Sequence, residues 1–469
     1  MTTVTPLTDF PDLLSPMVVK ELRQGLRTRL FGGVLLVLHA LLVLITLMGD
    51  ASSNGTEVRG LMDGLLVFVL YFIFPLSGFS ALAGEMKANT MDMLVLTRLS
   101  AGRIVLGKWA SIIVQSLLVT VSVVPYIVAR YVYGGADLFQ DILTLGFQWM
   151  VSAVLTAGVV ALSTQKQFWL RAIFIAVPLL LSSVSSVGWM LMGSLSRTMT
   201  SGGTATTAMG WKYAGWVFGA VWLIFALLSF GASRIAPAAS MLPVIKRLVN
   251  LGALFLLVLM EWLVARMASV SSALPQVLVV VLVVASVDAM TDDVRKLPSI
   301  YLPFFRRGWW GRLAGLFLAP GWMHGFLYSL LLAGISIALV RGPDAAKIWL
   351  VACCVWASVF FAQLLAFRRT GEYLSATFAG ACMLAFFTMM SFMVQTSSRK
   401  EELKWLSCLF PINTMSMSMD YKGSMAGIHY YDLGLIANGV WPFLLLLLAL
   451  RAFRQTRPAR LEAHQLARS

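Results

Sequence analysis

Apolar runs of about 20 residues recur along the whole chain, separated by short clusters of Lys and Arg, and about 20 residues is the length an α-helix needs to cross a hydrocarbon core of ~30 Å. Lipid offers no water to the backbone, so a segment that crosses it must satisfy its own N–H and C=O groups and is expected to be helical. Twelve runs qualify. The first six are Leu30 to Met48, Leu61 to Leu82, Ile104 to Ala129, Leu143 to Ser163, Ala172 to Met192 and Ala214 to Ala232. The second six are Leu248 to Met267, Leu274 to Ala289, Trp322 to Val340, Ile348 to Phe367, Ala376 to Val394 and Leu433 to Leu450. The expected fold is all-α, a polytopic transmembrane helical bundle. The seventh and eighth runs are joined by so short a loop that a re-entrant hairpin is the alternative there.

Composition excludes the main competitor. Of 469 residues, 59% are apolar and 12% charged, whereas a water-solvated domain carries about a quarter charged residues. The net charge of +15 could by itself point to nucleic acid. The basic residues, however, cluster between the apolar runs, so the implied partner is the lipid bilayer and no nucleic acid is expected. With the N-terminus inside, most of the 36 Lys and Arg fall on the cytoplasmic side, which places both termini in the cytoplasm and the chain in the cytoplasmic (inner) membrane. Arg306, Arg307 and Arg312 flank Trp309 and Trp310, a mixture suited to a headgroup interface. The four cysteines, Cys353, Cys354, Cys382 and Cys408, form no C-x-x-C pair, and the four histidines stand far apart. No metal or disulfide framework is expected.

Four connections are long: 83–103 and 290–321 on the cytoplasmic side, 193–213 and 395–432 outside. They follow the second, eighth, fifth and eleventh runs, so the same rhythm appears in each group of six. Two six-helix halves joined head to tail would produce it. The organisation expected is an interfacial segment 1–29, a first half 30–232 containing the loop 83–103, a second half 233–450, and a basic cytoplasmic tail 451–469.

Two segments of the first half could carry mechanical work. In Ser15 to Arg29, Val18, Leu22 and Leu26 recur every four residues while Lys20, Arg23 and Arg27 lie largely off that stripe, as in a helix lying along the inner leaflet. In the loop after the second run, Met91, Leu94, Val95 and Leu99 fit one face of a short helix with Asp92 in its first turn. A helix tied on both sides to spans is a lever, and a partner docking on it can move them.

This loop resembles that of ABC-2 type permeases, the membrane subunits of a class of ATP-binding cassette exporters. Glu85, Thr90, Asp92, Leu94, Leu96, Thr97, Leu99, Ser100, Ile104, Gly107 and Lys108 match the family pattern or substitute conservatively. Asn89 and Arg98 depart from it, at positions where Gly and Pro are usual. Pro16 and Lys20, Glu21, Leu22, Arg23 look like the family's interfacial helix. The resemblance implies that Glu85, Asp92, Leu94, Leu96 and Leu99 contact a separate ATPase subunit, that Lys20, Glu21 and Arg23 belong to the interface helix, and that ATP and Mg are bound by that partner. This chain would then bind no cofactor and perform no hydrolysis of its own. Either one chain forms the whole permease or a second permease chain pairs with it. The longest stretch outside the membrane, 395–432, is shorter than the ~50 residues of the smallest ordinary domains.

Three other sequence signals stand apart from that resemblance. Gly102 to Lys108 satisfies G-x-x-x-x-G-K, but Trp109 stands where Ser or Thr would ligate magnesium and no strand precedes it; Lys108 is expected instead to snorkel to the headgroups. Glu261 in the seventh run is the clearest intramembrane charge, and it supports an alternative, an ion-coupled secondary transporter, unless it merely pairs with Arg266. Gly78, Phe79 and Ser80 could hold a nucleophile only with a base at matching depth, and no histidine offers one.

Overall fold

A spanning helix that contains proline or meets a long connection leaves backbone groups unpaired, and the architecture is organised around how these are satisfied. The computed structural model describes residues 16–51, 55–80, 82, 100–133, 138–165, 206–268, 274–340, 343–365, 373–397, 407–420, 424–425 and 428–467. Among them, ten helical stretches are long and apolar enough to cross a membrane. They make this chain an all-α, multi-pass membrane protein. The chain divides into two units, Met1–Ala236 and Pro237–Ser469.

In the first unit, α1 (Pro16–Leu26) has proline at its first position, where a missing N–H costs nothing. A turn at Arg27 and Thr28 leads into α2 (Arg29–Ala51). The Thr28 hydroxyl donates to the Gly25 carbonyl at 2.7 Å and accepts from the Phe31 N–H at 3.3 Å, closing one helix and capping the next. The second span is built from α3 (Gly55–Phe68), a π turn (Val69–Ile73), α4 (Phe74–Ser77) and a 3-10 turn (Gly78–Ser80). Its irregularity has a cause. The Phe74 N–H bonds five residues back to the Val69 carbonyl. Continued in that register, residue 75 would donate to Leu70, but Pro75 has no N–H. The Ser152 hydroxyl supplies the missing donor, 2.6 Å from the Leu70 carbonyl.

Ser152 lies on α6 (Leu138–Leu162), which packs against α5 (Ala101–Tyr133) and α7 (Thr206–Ile235). At 33 residues α5 is about 50 Å long, so it reaches well beyond the hydrocarbon at one end or both. A Cβ at Gly231 of α7 would sit 2.9 Å from the Ala161 Cα, so the small residue permits close helix contact there. The expected fifth run, Ala172 to Met192, lies outside the described residues.

The second unit begins with α8 (Leu242–Ala268) and α9 (Leu274–Met290). The seventh span starts earlier than hydropathy suggests, at Leu242 rather than Leu248, because its two cations are neutralised inside the protein. Both α8 and α9 are continuous helices, α9 being slightly too short for an untilted crossing. Two short helices follow, α10 (Pro298–Arg306) and α11 (Gly308–Leu318), then α12 (Trp322–Leu339), α13 (Pro343–Leu365) and α14 (Tyr373–Ser397). Trp356 of α13 is fully buried, and its indole N–H donates to Ser329 at 2.9 Å, which in turn donates to Ser286 at 2.8 Å. This chain of hydrogen bonds ties α13, α12 and α9 together. Gly325 brings α12 against the Ala289 carbonyl, and Gly380 brings α14 against the Ser358 carbonyl.

The chain then forms α15 (Pro411–Asp420) and a minimal antiparallel pair, β1 (Ser424–Met425) and β2 (Ile428–His429). The final span is broken into α16 (Tyr430–Ala437) and α17 (Val440–Leu466) at Asn438 and Gly439. Asn438 is fully buried, and its amide donates to the carbonyls of Gly434 and Cys408 and to the Thr414 hydroxyl at 2.7, 3.0 and 3.1 Å. The basic tail is a direct continuation of α17, with Ala452, Thr456, Ala459 and Ala463 turned inward.

Candidate functional site

The N-terminal helix and the start of the third span, far apart in sequence, form one joint in the first unit. At Gly107, α5 packs beside Met17 and Val18, whose side-chain atoms lie 3.5 to 3.7 Å from where a Cβ would stand, an ordinary contact distance. One residue on, Lys108 is buried, and its Nζ donates to Glu21 Oε1 at 3.2 Å. Lys108 therefore does not snorkel to headgroups. Burial of an ammonium is tolerable here because the carboxylate of α1 meets it. Further along, Gly25 lies against the Gln115 side chain. Lys20 and Arg23 are exposed on α1, on the side away from α5. The stretch Gly102 to Lys108 lies inside α5 with its backbone N–H groups in helical register, so it forms no phosphate-cradling loop.

The sequence-predicted coupling residues Glu85, Asp92, Leu94, Leu96 and Leu99 lie outside the described residues. Beyond them, Ser100 caps α5, its hydroxyl accepting from the Arg103 N–H at 3.4 Å. Whatever residues 83–99 contact is thus connected directly to the long helix that clasps α1.

At the other end of α5, Arg130 pairs with Asp141 of α6, both largely buried. They line a small recess, large enough for about one water, with Asp63, Gln148, Met62, Leu66, Ile127 and Leu145.

A second charged centre, which the sequence reading did not anticipate, joins four helices of the second unit. Lys246 and Arg247 of α8 are 1% and 0% exposed. Lys246 donates to Asp288 and to Asp292, each at 2.7 Å, and Arg247 donates to the second oxygen of Asp292 at 2.9 Å. Arg247 also donates to the carbonyls of Ala289, Phe317 and Ala319 at 3.0, 3.0 and 2.5 Å, so one guanidinium closes the C-terminal ends of both α9 and α11. The Tyr328 hydroxyl of α12 donates to the Arg247 backbone carbonyl at 2.9 Å, and its ring lies 5.9 Å from the guanidinium carbon. Two cations against two carboxylates make the centre neutral, which is what permits it at this depth. The signal available in sequence was four charges flanking two adjacent apolar runs, but pairs more than forty residues apart have no local signature.

Other predicted positions have structural occupations. His39 Nδ1 lies 2.8 Å from the Leu35 carbonyl, and the ring meets Tyr126 edge-on at 5.6 Å. His324 Nδ1 donates to the Leu316 carbonyl at 3.0 Å, and its ring stacks edge-on against Phe453 of α17 at 4.9 Å. Glu261 is half-buried on α8, about 20 Å along the helix from Lys246, so the structure does not bring it to the ionic centre. Arg266 lies over the Trp262 ring, 5.2 Å from its centroid. Outside the spans, the Cys408 thiol donates to the Tyr430 carbonyl, and burial pushes its pKa up. Burial likewise raises the Tyr301 phenol. Among the described residues no cluster of three or more His, Cys, Asp or Glu could hold a metal.

These arrangements fix helix ends to one another. No known protein family, curated protein or solved structure matches the chain. What its length and apolar helices establish is a polytopic, all-α membrane protein of a kind consistent with transport.

Proposed function

We propose that the chain is the membrane-spanning permease subunit of an ATP-binding cassette exporter, moving its substrate across the cytoplasmic membrane on energy from a separate ATPase subunit. The observation that carries this reading is the joint between α1 and α5. The two segments that resemble ABC-2 permeases meet there, with Gly107 receiving α1 and Lys108 paired with Glu21.

The joint suits force transmission. Residues 83–99 lead into the first turn of α5, whose next two turns grip α1, and α1 continues through one turn into α2. A displacement applied at 83–99 is therefore delivered to two spanning helices together. The contact surface itself rests on the family resemblance: Glu85, Asp92, Leu94, Leu96 and Leu99 would meet the ATPase, which would bind ATP and Mg.

Co-purification tests it. The tagged chain, purified from its own membranes, is expected to bring an ATPase subunit with it and to stimulate that subunit's ATP turnover. Asp92→Lys and Leu94→Asp are expected to abolish stimulation while leaving membrane insertion intact. Unaltered stimulation in both variants, or transport by the chain alone in nucleotide-free vesicles, overturns the reading.

A further inference from the structure

Residues 297–321 carry Arg306, Arg307 and Arg312 but no Asp or Glu. They fold into an elbow. Helix α10 ends at Arg306, Gly308 turns the chain with φ of +70°, and α11 returns alongside. Close contact between the arms depends on glycine: a Cβ at Gly311 would overlap the Phe304 carbonyl, and one at Gly315 would sit 3.2 Å from the Phe304 ring.

At the tip Trp309 and Trp310 stack with ring centroids 3.8 Å apart, yet they are 63% and 66% exposed. Leu313 and Leu316 continue the exposed apolar strip along α11. No described residue pairs with Arg306 or Arg307, both exposed. The elbow cannot collapse to hide the tryptophans, because it is held at both arms. Arg247 grips the end of α11, and Tyr301 of α10 packs with Ala319 against Ala459 and Ala463 of α17.

Its height is fixed as well. Arg247 lies near the start of one spanning segment, and Gly321 directly precedes another, Trp322–Leu339. The elbow therefore sits where the spans leave the hydrocarbon. Indole rings favour that level, and guanidinium groups bind phosphate oxygens there.

We propose that the α10–α11 elbow is a docking surface for anionic phospholipid, with Trp309 and Trp310 entering the boundary between headgroups and acyl chains and Arg306 and Arg307 holding headgroup phosphates. An acidic protein surface would match the arginines, but it would leave the tryptophan pair and the leucine strip without an apolar counterpart. The proposal is independent of the ATPase reading.

The test uses the full chain in detergent, offered phosphatidylglycerol or phosphatidylcholine, with retained lipid counted by native mass spectrometry. Phosphatidylglycerol is expected to be retained preferentially. R306Q/R307Q should weaken that retention by roughly 25-fold, about fivefold for each arginine, while R306K/R307K preserves it. In vesicles containing phosphatidylglycerol with brominated acyl chains, the emission lost on W309F/W310F substitution should be the emission that shallow bromines quench. Undiminished phosphatidylglycerol retention by R306Q/R307Q overturns the proposal. So does quenching of that emission by aqueous iodide but not by bromolipid, or capture of protein instead of lipid by a photo-crosslinker at position 309.

Discussion

The ammonium of Lys108 and the carboxylate of Glu21 meet at 3.2 Å across 87 residues of chain, and that contact fixes the N-terminal helix to the third span. The lysine is buried and the glutamate about a quarter exposed, so loss of either partner weakens the compensation of a charge that water reaches only in part. Lys108→Met and Glu21→Gln are each expected to cost about 1–3 kcal/mol, less than a fully enclosed pair. The charge exchange Glu21→Lys with Lys108→Glu should recover part of the loss. Thermal unfolding in detergent, arranged as a double-mutant cycle, measures the coupling; strictly additive losses would show that the pair contributes nothing.

Arg247 should not be replaceable by lysine. Its guanidinium reaches Asp292 and carbonyls on two helix ends at once, a geometry that three donors on a single nitrogen cannot reproduce. Arg247→Met takes from Asp292 one of the two cations bonded to it, and a loss of about 3–5 kcal/mol is expected. Arg247→Lys is expected to lie closer to the methionine variant than to the parent. Denaturant titration checks this, and parental stability in Arg247→Lys would refute the capping role.

Glycine at two helix crossings is a steric requirement. A Cβ at position 325 would overlap the Ala289 carbonyl, and one at 380 the Ser358 carbonyl. Gly325→Ala and Gly380→Ala should each destabilise by about 1–3 kcal/mol or more, since backbone cannot give way as a side chain can. Gly334→Ala, which meets nothing within 4 Å, is the control and should be neutral or slightly stabilising. Melting temperatures of the three variants compared with the parent decide it.

Cys408 offers a chemical readout of the region around Asn438. Its buried thiol has a raised pKa, so at a given pH it holds less thiolate than a free cysteine, and thiolate is the reactive form. In a background lacking the other three cysteines, maleimide labelling should be slower than for a solvated thiol at pH 8 and should climb as pH rises past the ordinary thiol range. Asn438→Ala removes an amide that bonds three acceptors, one of them the Cys408 carbonyl, and should speed the labelling. An unchanged rate would mean that Asn438 does not hold this turn.

The spans were legible because lipid imposes a length and a composition that survive in any single run, and the runs beginning at Leu30 and Trp322 correspond closely to Arg29–Leu47 and Trp322–Leu339. Legibility failed where a charge is neutralised from a distance. Hydropathy placed the seventh span after Lys246 and Arg247, whereas Asp288 and Asp292 admit both residues into the helix. Lys108 misled for the same reason, since nothing around it in sequence announces Glu21. The fold of α10 and α11 was also hidden, because their contact depends on Gly308, Gly311 and Gly315 rather than on a periodic apolar stripe. The motif ending in Gly107 and Lys108 was visible as a pattern, and its physical meaning, a seat for α1, required the third dimension.

The π turn at Val69–Ile73 has a directional consequence. One surplus residue swivels everything before it by about 100° relative to everything after. Asp63 precedes the turn and faces the recess shared with Arg130 and Asp141. Ironing the helix straight by excising a single residue would re-aim that carboxylate a quarter-turn or more around the axis. The bearing of Asp63 is thus set by a proline's missing hydrogen about three turns further along the chain.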